Sequence, residues 1–415
     1  MAMQKTLSDF SQYYDCYEIA SDDTPVICSI VVPNSQAFDR WPTYPKAATP
    51  HRGRVANGRG LTNVQCETSG LGEAIELASC CAWGDEDIFT ASVSELGEQA
   101  WTPASLQGFS ARQLDERKVW NANNDGIDWR PEICPPDENI DWIWANEVTG
   151  AKRVALPADY ALIGRREPGD ECAVSIADSN GCASGPTIED AKISAALELV
   201  ERDATGLWWY GRQNARRLPL EIIEDSPDLL AALVGRKRQT VVLDITTDFG
   251  IPSVASVSWD VDGTGLALGF SSAFNIHDAV QSAAVEMAQI ELTVRSARAA
   301  ADLPKYLQKW MEVNVSDLPM ILASERDCPP PKYASLPSRN SLNWILEHYE
   351  RTACPISFLD LTRSEFGVPT FRALAPDLCH YKPRFGKSRS LAAGISDRRV
   401  LEVGDVSPNQ FTLSI

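Results

Sequence analysis

Apolar and polar positions follow two periods along the chain, and each period predicts a different element. Clusters of β-branched residues, bounded by Gly and Pro, are typical of strand–turn–strand units. Three such clusters surround Asp23–Val26 before ICSIVVP, Phe249–Pro252 after VVLDITTD, and Phe366–Pro369 after SFLDLTRSE. The run Trp142–Ala145 followed by Glu147–Gly150 predicts a further hairpin.

Helical spacing of apolar residues predicts three long amphipathic helices at about 63–82, 187–212 and 278–302. Strand pairs followed by a helix recur about three times, which predicts a mixed α/β (α+β) fold whose helices cover sheet faces. We therefore expect one composite domain over 1–415, with N-terminal strands over 1–56 and a C-terminal part over 321–415. Pro329–Pro331 and Cys134–Pro136 are the best boundary candidates.

The three predicted helices carry the same polar stripe, S-x-x-x-E-x-x-[E/Q]. Its members are Ser69, Glu73 and Glu76 in the first helix; Ser194, Glu198 and Glu201 in the second; Ser282, Glu286 and Gln289 in the third. These spacings place each set on one helical face, among apolar neighbours. Buried acids are costly unless they are paired or bind cations. If the stripes converge, they predict a concentration of negative charge that requires Arg or Mg²⁺. Mg²⁺ prefers carboxylate oxygen and typically bridges to nucleotide phosphates. The alternative is that each stripe is a solvated helix face.

No G-x-x-x-x-G-K-[ST] text occurs, so a nucleotide site here is not a P-loop. Gly263-Thr264-Gly265 precedes a predicted strand and indicates a turn. The four histidines are far apart and no H-E-x-x-H text occurs, which argues against a zinc site.

Composition narrows the class of protein. The 415 residues carry a formal charge of −19, with 57 acids against 38 bases. This charge excludes a nucleic-acid binder and a polybasic membrane anchor. No run of apolar residues is long enough to span a membrane, and the N-terminus lacks a signal peptide. Eleven cysteines without a CxxC pair fit reduced thiols, so we expect a cytoplasmic protein.

The segment NGCASGPTIEDAKISAALELVERDATGLWW (180–209) resembles the central motif of the YcaO family, whose members activate a peptide backbone amide with ATP. NGRGLTNVQCETSGLGEAIE (57–76) resembles the family's earlier motif, and GFSSAFNIHDAVQSAAVEMAQIE (269–291) its later helix. VVLDITTDFGIP and FGVPTFRALAPDL are also similar to family text. The resemblance covers roughly 20–400.

The resemblance implies a YcaO-like fold with a nucleotide-binding core over 57–320, and ATP and Mg²⁺ as cofactors. It implies catalytic roles for Glu198, Glu201 and Arg202. The implied Mg²⁺ ligands are Glu73, Glu76, Glu198 and Glu201, and the implied nucleotide contacts are Arg59, Ser184, Asp190, Ser194, Arg202, Glu286 and Gln289. The implied products are an azoline, a thioamide or an amidine in a ribosomal precursor peptide.

Some positions depart from the family pattern. Leu77 stands where the first motif has Arg, Arg59 where it has Lys, and Pro186 where a polar residue is common. The end SPNQFTLSI lacks a Pro-x-Pro-x-Pro text, and no leader-binding segment precedes the first motif. We therefore expect a leader-binding (E1-like) or TfuA-like partner besides the precursor peptide; a homodimer is a further expectation. A non-catalytic precursor-binding scaffold and another ATP-dependent amide ligase remain alternatives.

Two further segments leave two interpretations open. Leu207-Trp208-Trp209-Tyr210 is either core or a platform for the substrate peptide. The basic residues Lys382, Arg384, Lys387 and Arg389 are either a solvated loop or a contact for phosphate or an acidic leader peptide.

Overall fold

The computed structural model describes residues 9–19, 24–50, 54–123, 128–170, 173–212, 215–299, 305–322 and 341–392. Its strands are β1 (Tyr14–Ile19), β2 (Ile27–Pro33), β3 (Ala56–Gly60), β4 (Ile88–Ser92), β5 (Asn139–Glu147), β6 (Lys152–Pro157), β7 (Cys182–Ser184), β8 (Arg216–Leu218), β9 (Gln239–Asp244), β10 (Ser253–Trp259), β11 (Ala267–Ser272), β12 (Ser357–Asp360) and β13 (Thr370–Leu374).

The strands form three sheets, in which the paired strands run antiparallel. The first sheet has the order β1-β2-β3 and the second β11-β10-β9-β8. The third has the order β4-β5-β12-β13-β7, with β6 added beside β5. Strands from the predicted C-terminal part, β12 and β13, thus share a sheet with strands of the preceding region.

Helices cover these sheets. They are α1 (Ser35–Arg40), α2 (Asn63–Cys80), α3 (Val93–Leu96), α4 (Pro103–Gln107), α5 (Ala111–Asp115), α6 (Arg117–Asn123), α7 (Ala158–Ala161), α8 (Ile188–Gly211), α9 (Pro227–Gly235), α10 (Ile276–Ala299), α11 (Lys305–Glu312), α12 (Pro319–Leu322), α13 (Leu342–Arg351) and α14 (Ser388–Ala392). This mixed architecture confirms the predicted fold class, and α2, α8 and α10 are the three predicted long helices. Residues 300–302 and Pro329–Pro331 lie outside the described residues.

The internal repeat consists of strand–helix units: β3 with α2, β7 with α8, and β11 with α10. Each helix begins at a side-chain cap that satisfies an otherwise unpaired first-turn amide. The Thr62 and Thr187 hydroxyl oxygens each accept from the amide three residues later, at 3.2 Å. Asn275 Oδ1 accepts from the Asp278 amide at 2.9 Å in the third unit. The same local chemistry therefore starts each helix.

Glycines let strand and helix approach closely in two of these units. A Cβ at Gly58 of β3 would lie 2.2 Å from the Cys66 carbonyl oxygen of α2. A Cβ at Gly269 of β11 would lie 2.2 Å from the Ala283 carbonyl oxygen of α10. Any larger residue would push the helix away from its strand.

The end of α8 is core. Leu207, Trp208, Trp209 and Tyr210 are buried against β9, β10 and β11. Their position confirms the core interpretation, and the platform interpretation is wrong.

The predicted hairpin at 142–150 exists, but its turn lies elsewhere. β5 continues through Glu147, which pairs with Lys152 of β6 and with Ser357 of β12. The turn occupies residues 148–151, and Ala151 adopts a φ of 49°. Glycine or asparagine usually marks a left-handed turn position, and alanine does not. The sequence pattern therefore placed the turn too early.

The basic segment is not a solvated loop. Its contacts are Lys382 with Asp178 at 3.3 Å, Arg384 with Asp128 at 2.8 Å, Lys387 with the Ser105 and Leu106 carbonyls, and Arg389 with Asp203 at 2.8 Å. Internal partners contact all four cations, so the solvated-loop interpretation is wrong, and contact with phosphate or an acidic leader peptide stays a prediction.

Among the described residues, no helix combines the length and apolar character that crossing a bilayer requires.

Candidate functional site

The polar stripes of α2 and α8 meet beside β7, which contacts both helices. The Glu198 and Glu201 side chains keep 21% and 14% of their surface exposed, so they line a recess rather than a solvated face. Glu73 and Glu76 interact electrostatically with Glu198 from the other helix. The first two stripes therefore converge, as the internal repeat predicts.

Arg202 lies among these carboxylates with 17% of its side chain exposed. Its Nη2 is 3.3 Å from Glu198 Oε1. Its Nη1 is 3.1 Å from Glu201 Oε1, an ion pair that lacks hydrogen-bond alignment. Within the described residues, the buried Nε and Nη1 donors of Arg202 have no hydrogen-bond acceptor. Such orphaned donors fit an incoming anion.

The third stripe reaches the same site through Arg59 of β3. Arg59 Nη1 donates to Gln289 Oε1 at 3.0 Å and lies 3.8 Å from Glu286 Oε1. Glu286 is held by the Phe270 amide of β11, which donates to its Oε2 at 3.0 Å. We call Glu73, Glu76, Glu198, Glu201 and Glu286, with Arg59 and Arg202, the glutamate cluster.

Ser184 joins α2 to the end of β7. Its amide donates to Glu76 Oε2 at 2.8 Å, and its hydroxyl donates to the Gly72 carbonyl at 3.3 Å. The structure thus brings the Ser184 amide into contact with the cluster, while its hydroxyl binds the backbone of α2.

Burial, with a smaller effect of neighbouring carboxylates, raises the pKa values of the acids in the cluster. Burial raises the pKa of Glu73 to about 7; Arg59 opposes the shift, and Glu286 and Glu198 add to it. Burial likewise raises the pKa of Glu201 to about 7 against the effect of Arg202. Burial and neighbouring anions put the pKa of Glu76 well above its usual value. Five carboxylates with two arginines need further cations.

Two of the predicted nucleotide contacts, Asp190 and Ser194, make none of the hydrogen bonds or ion pairs described for the cluster. Asp190 is exposed in the first turn of α8, where its Oδ2 accepts from the Thr187 hydroxyl at 2.7 Å. Ser194 is exposed one turn before Glu198. The hydrogen bonds and ion pairs described for the cluster include neither residue.

The sequence reasoning missed Tyr381, whose ring lies 4.9 Å from the Arg202 guanidinium carbon. No local pattern marks this residue, and its distance from Arg202 along the chain hides the contact. The only sequence feature that points to this region is the run of basic residues that begins at Lys382. Leu77, which replaces the family's Arg, lies in α2 and packs against the core.

The carboxylates and arginines of the glutamate cluster suit a metal ion that binds together with phosphate. In the described parts of the chain, no three His, Cys, Asp or Glu side chains are arranged to hold a metal ion by themselves. Mg²⁺ in nucleotide sites takes one or two carboxylates together with phosphate oxygens and water. The raised pKa values and the orphaned Arg202 donors fit Mg²⁺ and phosphate bound together.

Residues 57–379 match the family described as YcaO cyclodehydratase, ATP- and Mg²⁺-binding. The chain therefore belongs to the YcaO family of ATP-dependent enzymes, and ATP and Mg²⁺ are the family's cofactors.

Two known proteins are similar to this chain in sequence. An uncharacterised protein of Methanothermobacter thermautotrophicus is 26% identical over 77% of this chain and 80% of its own length. An uncharacterised protein from the tfuA 3' region of Rhizobium leguminosarum bv. trifolii is 26% identical over 50% of this chain and 46% of its own length.

Solved structures share the fold. A heterocyclase in complex with substrate and cofactor superposes with a TM-score of 0.82 at 24% identity, over 96% of this chain and 55% of its own. YcaO from Methanopyrus kandleri, bound with AMPPCP and Mg²⁺, gives a TM-score of 0.63 at 19% identity over 92% of each chain. The chain spans about half the length of the heterocyclases it matches.

Proposed function

We propose that this chain uses ATP and Mg²⁺ to activate a backbone amide in a ribosomal precursor peptide and forms an azoline. Bound ATP would convert the amide oxygen into a phosphate leaving group while Mg²⁺ neutralises phosphate charge. A Cys, Ser or Thr side chain of the peptide would lose its thiol or hydroxyl proton and attack the amide carbon. Loss of phosphate, which carries the amide oxygen, together with the amide proton would then leave the ring C=N bond. The catalysts implied by the family motif are Glu198, Glu201 and Arg202.

One observation carries the proposal: Arg202 is buried between Glu198 and Glu201 with two donors that no described residue satisfies. A phosphate oxygen in the recess would satisfy the Nε and Nη1 donors, and charge-assisted bonds of this kind are strong. Arg202 would thus hold phosphate, while the adjacent carboxylates hold the metal.

The remaining cluster residues receive roles from their positions. We assign Glu73, Glu76, Glu198 and Glu201 to Mg²⁺, directly or through water. Arg59 would contact phosphate beside Glu286 and Gln289, which fix its side chain. Ser184, Asp190 and Ser194 are assigned to the nucleotide. The two exposed residues, Asp190 and Ser194, are the least supported of these assignments.

Calorimetric titration of ATP with and without Mg²⁺ tests the cofactor part. We expect binding that needs the metal; equal binding in both, or none, would contradict the assignment. Hydrolysis of ATP that rises on addition of precursor peptide tests the enzyme part. Binding without any hydrolysis would favour the non-catalytic scaffold instead.

Product mass decides the reaction. Loss of one water from the peptide is expected for an azoline, and exchange of oxygen for sulfur would indicate a thioamide. The relative from a tfuA 3' region is the observation that keeps the thioamide as second candidate. Incorporation of an external amine would indicate an amidine.

We also propose that a second protein delivers the precursor peptide. A similar fold occurs in the microcin synthetase McbBCD complex with pro-MccB17 bound, at 14% identity and a TM-score of 0.60. Turnover of peptide should therefore rise when a leader-binding or TfuA-like protein is added. Equal rates with and without such a protein would contradict this proposal.

A further inference from the structure

The segment Cys379–Tyr381 lies along α8, beside the turns that follow Arg202. The Cys379 amide donates to Asp203 Oδ1 at 2.9 Å. Gly206 leaves room for the His380 carbonyl, since a Cβ there would lie 2.4 Å from that oxygen. The Tyr210 hydroxyl donates to the Tyr381 carbonyl at 2.8 Å. Successive residues of the segment are therefore tied to successive turns of the helix.

An ion pair holds the carboxylate that binds Cys379 at the start of this segment. Arg389 donates to both oxygens of Asp203, from Nη2 at 2.8 Å and from Nε at 3.0 Å. Asp203 is fully buried and directly follows Arg202. The paired carboxylate anchors the segment one residue from the arginine of the site.

This anchoring sets the ring of Tyr381 over Arg202. The Arg202 guanidinium carbon lies 4.9 Å from the ring centroid, and the ring is half-buried. A guanidinium over an aromatic face is attracted by the negative ring face.

We propose that Tyr381 is a positioning residue for Arg202: its ring holds the guanidinium so that Nε and Nη1 stay open to phosphate. The inference rests on the proposed function, because it assigns phosphate to those donors. Without the ring, the carboxylates would draw the guanidinium into aligned hydrogen bonds with themselves. Phosphate would then compete with a fully satisfied arginine.

The test replaces Tyr381 by Leu, which removes the aromatic face, and by Phe, which keeps it. Calorimetry with ATP and Mg²⁺ gives the dissociation constant of each variant. We expect Tyr381→Leu to weaken binding about five-fold, the scale of a half-exposed cation–π contact, and Phe to restore most of it. Trp144→Leu removes the ring under Arg153, where β5 faces β6 and neither residue belongs to the glutamate cluster. It is the matched control and should leave ATP affinity unchanged.

A double-mutant cycle separates positioning from general damage. In an Arg202→Ala background, Tyr381→Leu should cause no further loss of ATP affinity. If the Leu variant does not fold, 4-nitrophenylalanine at 381 keeps the ring shape, weakens its negative face and should weaken binding. Wild-type affinity in the folded Leu or nitro variant would overturn the inference alone. A wild-type chain that binds no ATP with Mg²⁺ would overturn the proposed function as well.

Discussion

Two buried charge clusters lie close together, and they are balanced in opposite ways. The glutamate cluster has an excess of anions, and burial raises the pKa values of its acids. The aspartate cluster, Asp128 and Asp178 with His380, Lys382 and Arg384, supplies its own counter-charge. The pKa of Asp178 lies well below its usual value. Burial alone would raise this pKa, but the neighbouring cations, chiefly Lys382, lower it.

The two clusters also differ in how their arginines are paired. Arg384 is 4% exposed and donates to Asp128 from both Nε and Nη2. Arg202 is equally surrounded by carboxylates but keeps two donors unsatisfied. Arg372 Nη2, 3.6 Å from Asp178 Oδ1, and Arg372 Nε are also buried without a hydrogen-bond acceptor among the described residues, so the excess of carboxylates, and not incomplete pairing alone, sets the glutamate cluster apart.

The largest effect is expected from breaking the aspartate cluster. Arg384→Gln leaves Asp128 buried without its partner, so the free energy of unfolding should fall by about 3–5 kcal/mol. Urea denaturation measures this. The double variant with Asp128→Asn removes both charges and should recover most of the loss. A single variant as stable as the wild type would show that this pair is not structural.

The glutamate cluster should make stability fall as pH rises. Glu73 and Glu201 have pKa values of about 7 when folded, above those of the unfolded chain. Their contribution is therefore fully present at low pH and is lost as pH rises from about 4.5 through 7, by at most about 1.4 kcal/mol per pH unit and group. Thermal unfolding without metal between pH 5 and 8 measures it.

Binding of ATP and Mg²⁺ should show the opposite trend, because the metal needs ionised carboxylates. Affinity should increase as pH rises from 6 to 8. Glu73→Gln should flatten both profiles. Profiles of wild type and variant that coincide would contradict the raised pKa of this acid.

The smallest effects concern the helix caps of the repeat. Thr62→Ala and Thr187→Ala should each cost about 1 kcal/mol of unfolding free energy, because each removes one capping bond. The two losses should add, since the caps belong to separate helices. Thr→Ser at either position keeps the oxygen and should cost less. A loss at one position alone would show that the two units are not equivalent.

Local patterns predicted what depends on local chemistry. The long helices α2, α8 and α10 follow from apolar spacing and from cap residues such as Thr62 and Thr187, so their bounds were nearly right. The stripes followed from the same periodicity. Their convergence was predicted because three copies of one unit imply equivalent packing.

Contacts between distant segments were not predictable. The basic segment is neutralised by Asp128, Asp178 and Asp203, which precede it by well over a hundred residues. Tyr381 reaches Arg202 across a similar separation. The turn at 148–151 was misplaced because Glu147 is fixed by pairing with β12, a strand from the end of the chain.

The central claim is that the glutamate cluster holds Mg²⁺ and ATP, and Glu201→Gln tests it most directly. The change keeps size and removes the charge that a metal ligand needs. Glu189→Gln is the matched control, an exposed position on α8 whose Oε1 accepts from the Leu342 amide, as a glutamine oxygen can. We predict that ATP hydrolysis falls at least ~10²-fold in Glu201→Gln and is unchanged in the control. The melting temperature without metal should not fall, because a buried anion is removed. A folded Glu201→Gln variant with wild-type ATP hydrolysis and peptide modification would contradict the account.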